Sequence, residues 1–164
     1  MSYIPQLGDV LEMDNVYLEN GFIFSAGFGM PADNIKQWIF GRYGSLYYYK
    51  YFTDGGASDG IFDIPLQAES ISFSIGGVLI NNSTNICSAE VNKPKSSIDS
   101  SLYLFKRATL KDNGIGHVGK VVIKDKINMI PCLDNNGIPC FFDTIRQKSF
   151  YNAGEGELTY SLKN

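Results

Sequence analysis

Residues 71–80 read Ile71-Ser72-Phe73-Ser74-Ile75-Gly76-Gly77-Val78-Leu79-Ile80. Apolar and polar residues alternate strictly from Ile71 to Ile75. Successive side chains of a strand point to opposite sides of the sheet, so this alternation marks a strand with one buried face. Gly76-Gly77 turns the chain into a second apolar run, and the stretch reads as a β-hairpin. The period-two pattern recurs on both sides of it, and no segment sustains the three-and-four spacing of an amphipathic helix over three turns. The sequence therefore predicts an all-β fold.

Upstream, Val16-Tyr17-Leu18 and Phe22-Ile23-Phe24 read as short strands joined by a tight hairpin at Glu19-Asn20-Gly21, where Asn-Gly supplies positive φ angles. Trp38-Ile39-Phe40-Gly41 and Leu46-Tyr47-Tyr48-Tyr49-Lys50-Tyr51-Phe52 form a second pair through Arg42-Tyr43-Gly44-Ser45. In the second run Tyr47, Tyr49 and Tyr51 share one face, and Leu46, Tyr48 and Phe52 the other. Residues 53–60, Thr-Asp-Gly-Gly-Ala-Ser-Asp-Gly, are a loop by composition. Downstream, residues 81–101 predict a weak strand and a loop. Leu102-Tyr103-Leu104-Phe105 reads as an apolar strand buried on both faces, separated by a glycine-rich turn at 116–119 from Val121-Val122-Ile123. Met129 to Cys132, Ile138 to Asp143 and Lys148 to Tyr151 are short strands, the first two joined by the turn Asp134-Asn135-Asn136-Gly137. Roughly ten short strands with frequent turns predict an antiparallel two-sheet sandwich or barrel. No internal repeat or linker interrupts residues 1–164, which read as one domain, with residues 1–15 as an arm or edge strand.

Composition supports this and narrows function. A chain of 164 residues with 44% hydrophobic content is large enough for a real core. Ten Tyr, eleven Phe and seventeen Gly favour pleated surfaces and turns over helices. No apolar run approaches the roughly 20 residues of a membrane-spanning helix, so no membrane insertion is expected. Met1 to Gln6 lacks the basic start and apolar run of a secretory signal, and synthesis in a cytoplasm without export by that route is expected. With net charge −3, one His and no basic run longer than Lys106-Arg107, no nucleic-acid partner is expected. Cys87, Cys132 and Cys140 form no Cys-x-x-Cys pair. Cys132 and Cys140 are placed to face each other across a hairpin, with reduced, half-buried thiols as the expected state.

The C-terminal third carries a denser pattern: Leu102-Tyr103-Leu104-Phe105, Gly119-Lys120-Val121, Ile130-Pro131-Cys132-Leu133, Gly137-Ile138-Pro139, Phe142-Asp143-Thr144 and Phe150-Tyr151-Asn152-Ala153-Gly154-Glu155-Gly156-Glu157-Leu158. It resembles the concanavalin A-like, laminin-G-like jelly-roll domains of tailed-bacteriophage and prophage virion proteins. The resemblance is dense from Leu102 to Leu158; before that it rests on residues 16–22 and Phe40-Gly41-Arg42. It implies a jelly-roll sandwich of the concanavalin-like lectin type, with Asp143 and Asn152-Ala153-Gly154 shaping turns. Val122-Ile123-Lys124-Asp125 departs from the family, whose members often carry a Tyr-rich strand there.

Sharper motifs fail on context. Gly114-Ile115-Gly116-His117-Val118-Gly119-Lys120 matches the start of a phosphate-binding loop, but neither Ser nor Thr follows the Lys and Val121-Val122-Ile123 is a strand, not a helix. Glu12-x-Asp14 lacks the third carboxylate of a strand-borne glycosidase motif, because Tyr17 stands there and Glu19 falls in a turn. Glu155 and Glu157 sit in the terminal turn, and His117 has no nucleophile motif near it. No catalytic residues are assigned, and no enzyme is expected.

The aromatic belt and the loop after it are the expected working surface: Trp38, Arg42, Tyr43, Tyr47, Tyr49 and Tyr51, with Asp54 and Asp59 at the rim. Sugar C–H faces stack on aromatic rings, while exposed aromatics equally serve protein contacts. Asp54, Asp59 and Asp63 lack regular calcium-ligand spacing, so no metal or other cofactor is expected. The resemblance implies a virion surface protein, a head decoration, head fibre or tail-associated module, assembled in the host cytoplasm and adhering to host glycan or bacterial surface polysaccharide. Other virion proteins and further copies of the chain, trimeric in a fibre tip, are the expected partners. A structural cementing protein without sugar affinity is the competing expectation, and a carbohydrate-active enzyme the third.

Overall fold

The computed structural model describes residues 3–27, 37–43, 46–51, 67–74, 77–81, 84–87, 101–105, 114–152 and 157–161. The strands among them are β1 (Leu11–Ala26), β2 (Trp38–Tyr43), β3 (Leu46–Tyr51), β4 (Gln67–Ser74), β5 (Gly77–Ile80), β6 (Thr84–Cys87), β7 (Tyr103–Leu104), β8 (Ile115–His117), β9 (Val121–Ile123), β10 (Ile127–Leu133), β11 (Pro139–Asp143) and β12 (Lys148–Phe150). No helix occurs among the described residues, and every strand pairing is antiparallel. The chain is all-β. The main path runs β12-β11-β10-β9-β1-β4-β5-β6, and β2, β7 and β8 also pair with β1.

Strand β1 corrects the expected hairpin at Glu19-Asn20-Gly21. The chain runs through that point as one strand of 16 residues. Its first half lies between β4, which pairs with Leu11 to Tyr17, and β9 and β8. Its second half lies between β2 and β7. Gly21 does take a positive φ of 74°, but the freedom absorbs an irregularity in register beside Asn20 and Phe22 rather than a reversal. Long-range pairing on both edges satisfies far more backbone groups than two three-residue strands satisfy by folding on each other. Asn15 works in a similar way. Its φ of 46° breaks the alternation, so the buried positions shift from Leu11 and Met13 to Val16 and Leu18. From Phe22 to Ala26 every residue is buried, because both edges and both faces are covered.

Residues 3–15 make extensive contacts within their own chain. Leu11 and Met13 are core, and the preceding segment is pinned to its own chain. Tyr3 donates its hydroxyl to the Asp9 carboxylate, which also accepts from the Gln6 amide and the Lys126 ammonium. The Leu102 amide donates to the Tyr3 carbonyl.

The glycines of the phosphate-loop-like motif serve close approach to β1. A methyl group at Gly114 would overlap the Phe22 carbonyl, one at Gly116 the Tyr17 carbonyl, and one at Gly119 the Asp14 carboxylate. Part of the expected turn is thus strand β8, and the Asp14 carboxylate accepts the Lys120 amide at its end. The expected strand at residues 102–105 is also shorter, confined to β7. Leu102 is buried while Tyr103, Leu104 and Phe105 are half-buried, and Phe105 leaves the extended region with a φ of 52°.

β4 and β5 pair antiparallel, with Phe73 opposite Val78 and Ser74 opposite Gly77. Phe73 is the hub of an aromatic cluster: Phe24 and Phe40 each lie 4.8 Å from it between ring centroids, and Tyr49 lies 5.8 Å away. Trp38 packs edge-on against Phe24. Two buried polar groups are satisfied inside the cluster. The Trp38 indole N–H donates to the Tyr49 hydroxyl at 3.0 Å, and that hydroxyl donates to the Ser74 carbonyl at 2.7 Å. The chain of bonds joins β2, β3 and β4.

Two outcomes test these contacts by urea denaturation. Tyr49→Phe removes the shared hydroxyl, leaves the indole N–H without that acceptor, and is expected to cost about 1–3 kcal/mol. Gly116→Ala forces β8 away from the Tyr17 carbonyl and is expected to cost about 1–3 kcal/mol.

Candidate functional site

Two members of the sequence-predicted belt, Trp38 and Tyr49, belong to the core. Both are fully buried, Trp38 edge-on against Phe24 and Tyr49 against Phe73. This corrects the expectation that they stack on a ligand. Arg42 is half-buried, and its guanidinium donates to the Glu19 carbonyl at 2.9 Å. Tyr43, Tyr47 and Tyr51 hold register positions opposite Leu46, Arg42 and Trp38, while their side chains lie outside the described set. Asp54, Asp59 and Asp63 lie outside the described residues altogether.

The structure instead opens a groove of about 550 Å³ on the outer face of β10, β11 and β12. Alternation builds it. Ile127 and Met129 of β10 point into the core, so Ile130 and Cys132 take the opposite face. Register then sets Ile130 beside Phe142, Phe142 beside Ser149, and Cys132 beside Cys140. Pro131 and Prο139 do not disrupt the ladder, since the β9 pairing ends at Met129 and the β12 pairing begins at Phe141.

Asp143 anchors the inner side of this sheet. Although fully buried, its Oδ1 accepts the amides of Asn128, Ile145 and Arg146, and its Oδ2 lies 3.5 Å from the Arg146 Nε. Its expected turn-shaping role has this concrete form. Asn128 donates its side-chain amide to the Thr144 hydroxyl, fixing the same corner.

One end of the groove is the turn at residues 134–138. Asp134 organises it: Oδ1 accepts the Asn136 amide at 2.8 Å and the Ile138 amide at 2.9 Å, while Oδ2 accepts the Tyr151 hydroxyl at 3.2 Å. These bonds, led by that from the Ile138 amide, hold the carboxyl below its ordinary range. The same contact pushes the Tyr151 phenol above its ordinary value, because donation to the carboxylate favours the protonated form. Near neutral pH the groove therefore presents an anionic acceptor against a neutral phenol whose residue is 51% exposed. Asn135 and Asn136 add exposed amides at the rim. An apolar ring face, a carboxylate and amides together match a polyhydroxylated ring, with C–H groups for the tyrosine and hydroxyls for the polar rim.

Among the described residues, His117, Glu12 and Asp14 are not part of the groove lining. His117 stacks on Tyr17 with 5.4 Å between ring centroids. Glu12 and Asp14 are exposed on β1, where the Asp14 carboxylate holds the Lys120 amide. Among the described residues, no group of three or more His, Cys, Asp or Glu is arranged to hold a metal ion. Compared with known proteins, the chain matches no family model, no curated protein and no solved structure.

The groove leaves little trace in the sequence, because its members read as strand and turn residues. The available signal was the placement of Asp134-Asn135-Asn136-Gly137 between two alternating runs, with Tyr151 one strand further on.

Because the folded Asp134 pKa is lowered, its contribution to stability is present above the ordinary value of 3.8 and is lost as pH falls through the lower folded value. Wild-type protein is therefore expected to exceed Asp134→Asn in urea midpoint at neutral pH. The difference should shrink only below pH 3.8 in paired denaturation curves.

Proposed function

We propose that this chain is a virion surface protein of a tailed bacteriophage, with a concanavalin-like jelly-roll domain that binds glycan in the groove on β10, β11 and β12. The observation that carries the binding role is the exposed Tyr151 ring held against the Asp134 carboxylate at the mouth of that groove. Both residues are positioned before any ligand arrives, which reduces the ordering cost of association. The phage assignment is supported by the resemblance between Leu102 and Leu158 and is compatible with the all-β antiparallel architecture. The jelly-roll topology and the virion location are parts of the proposal.

A second reading has its own support. Ile130, Leu133 and Ile138 are 42%, 49% and 49% exposed, and an aliphatic rim of this kind also suits contact with a neighbouring virion subunit. In that case the groove cements particles and has no sugar affinity.

Glycan-array binding of the full chain separates the two. The proposal predicts retention of a glycan subset, with Tyr151→Ala lowering affinity about tenfold or more while the chain stays folded. Binding unaffected by Tyr151→Ala would remove the groove from the account. Absence of glycan binding together with loss of particle incorporation in Tyr151→Ala would establish the cementing role.

A further inference from the structure

Cys132 and Cys140 are directly opposed in the β10–β11 ladder, and their sulfur atoms lie 3.2 Å apart as free thiols. The neighbouring pairs are Pro131 with Phe141 and Leu133 with Pro139. Proline has no N–H, so neither neighbouring pair can exchange both ladder hydrogen bonds. Alternation then makes the cysteines a hydrogen-bonded pair with Cα atoms about 5.5 Å apart. That separation falls inside the range a disulfide bridges without backbone movement. Both side chains line the groove, where Cys132 is partly exposed and Cys140 lies beneath the surface.

We propose that Cys132 and Cys140 are a redox modification site, oxidised to an intramolecular disulfide by a small-molecule disulfide such as oxidised glutathione. The Cys132 thiolate attacks one sulfur of the oxidant, forming a mixed disulfide and releasing one glutathione thiolate. The Cys140 sulfur, after its proton passes to solvent, attacks the Cys132 sulfur. The mixed disulfide breaks and the second glutathione thiolate leaves. Two protein thiols are oxidised, one glutathione disulfide is reduced, and the two protons end on the glutathione thiols.

The order of attack follows from access. Burial pushes the Cys140 thiol up to about 11, so Cys140 remains protonated and shielded until the mixed disulfide brings an electrophilic sulfur beside it. The cross-link closes a short loop around the Asp134 turn and fastens the end of the groove on which Tyr151 rests. The thiol chemistry does not depend on what the groove binds. Cys87 belongs to β6, at the opposite end of the strand order from β10 and β11, which makes it an internal control.

The test exposes reduced full-length protein to oxidised glutathione, quenches by alkylation and analyses intact mass and linked peptides. Expected are a mass about 2 Da below that of the reduced chain plus one alkyl label, a single Cys132–Cys140 linked peptide and the label on Cys87. The ratio of this disulfide to the glutathione adduct should exceed that of the same chain in urea by about tenfold or more. Cys140→Ser should stop as an adduct on Cys132, and Cys132→Ser should react more slowly. A native chain that stops as a glutathione adduct, links Cys87, dimerises through disulfides or stays fully reduced would overturn the proposal.

Discussion

One strand carries two sets of partners. β1 supplies backbone hydrogen bonds to β4, β8 and β9 over its first half and to β2 and β7 over its second. An extended segment of 16 residues with both edges occupied leaves few orphaned peptide groups and needs no turn of its own. The constraint propagates outward. Residues 114–119 must lie close against β1, so three of the positions there lack side chains. Asn15 must reset the alternation, or Val16 and Leu18 would face solvent while their neighbours faced the core.

The aromatic cluster shows how burial of polar rings is made tolerable. A Trp and a Tyr in a core each bring a group that must find a partner, and an unsatisfied one costs more than a formed bond returns. Here the indole of Trp38, the phenol of Tyr49 and the carbonyl of Ser74 resolve this in a single series. The result moves the centre of functional interest. Trp38 and Tyr49 are committed to packing against Phe24 and Phe73, while Tyr151 stands exposed beside the turn at Asp134. At the far end of β11 the buried Asp143 ties the turn between β11 and β12 to Asn128 of β10 through three amide bonds.

Local patterns were legible in the sequence wherever short-range chemistry decides the outcome. The pairing of the Ile71 and Val78 runs, that of the Trp38 and Leu46 runs, and the strands from Met129 to Phe150 all appear in register. Patterns decided by distant partners were not. Asn20-Gly21 carries every local mark of a hairpin, yet β2 and β8 compete for the same backbone and win. Tyr49 could not be assigned to a face because Leu46, Tyr48 and Phe52 offered an equally apolar alternative, and only the opposing Phe73 settles it. The pairing of Tyr151 with Asp134 needs two intervening turns of known geometry, which a period-two pattern does not encode. The Cys132–Cys140 opposition, by contrast, follows from the turn length once Asp134 and Ile138 close it.

The shared strand is most directly checked by solution NMR on the labelled chain, through short-range nuclear Overhauser contacts along residues 11–26. Cross-strand contacts of Tyr17 with His117, Phe22 with Gly41 and Ser25 with Tyr103, and none between Val16 and Phe24, are the expected pattern. Contacts linking Val16-Tyr17-Leu18 to Phe22-Ile23-Phe24 across Asn20-Gly21 would show that the chain reverses there, and would contradict the whole account of how this domain is held together.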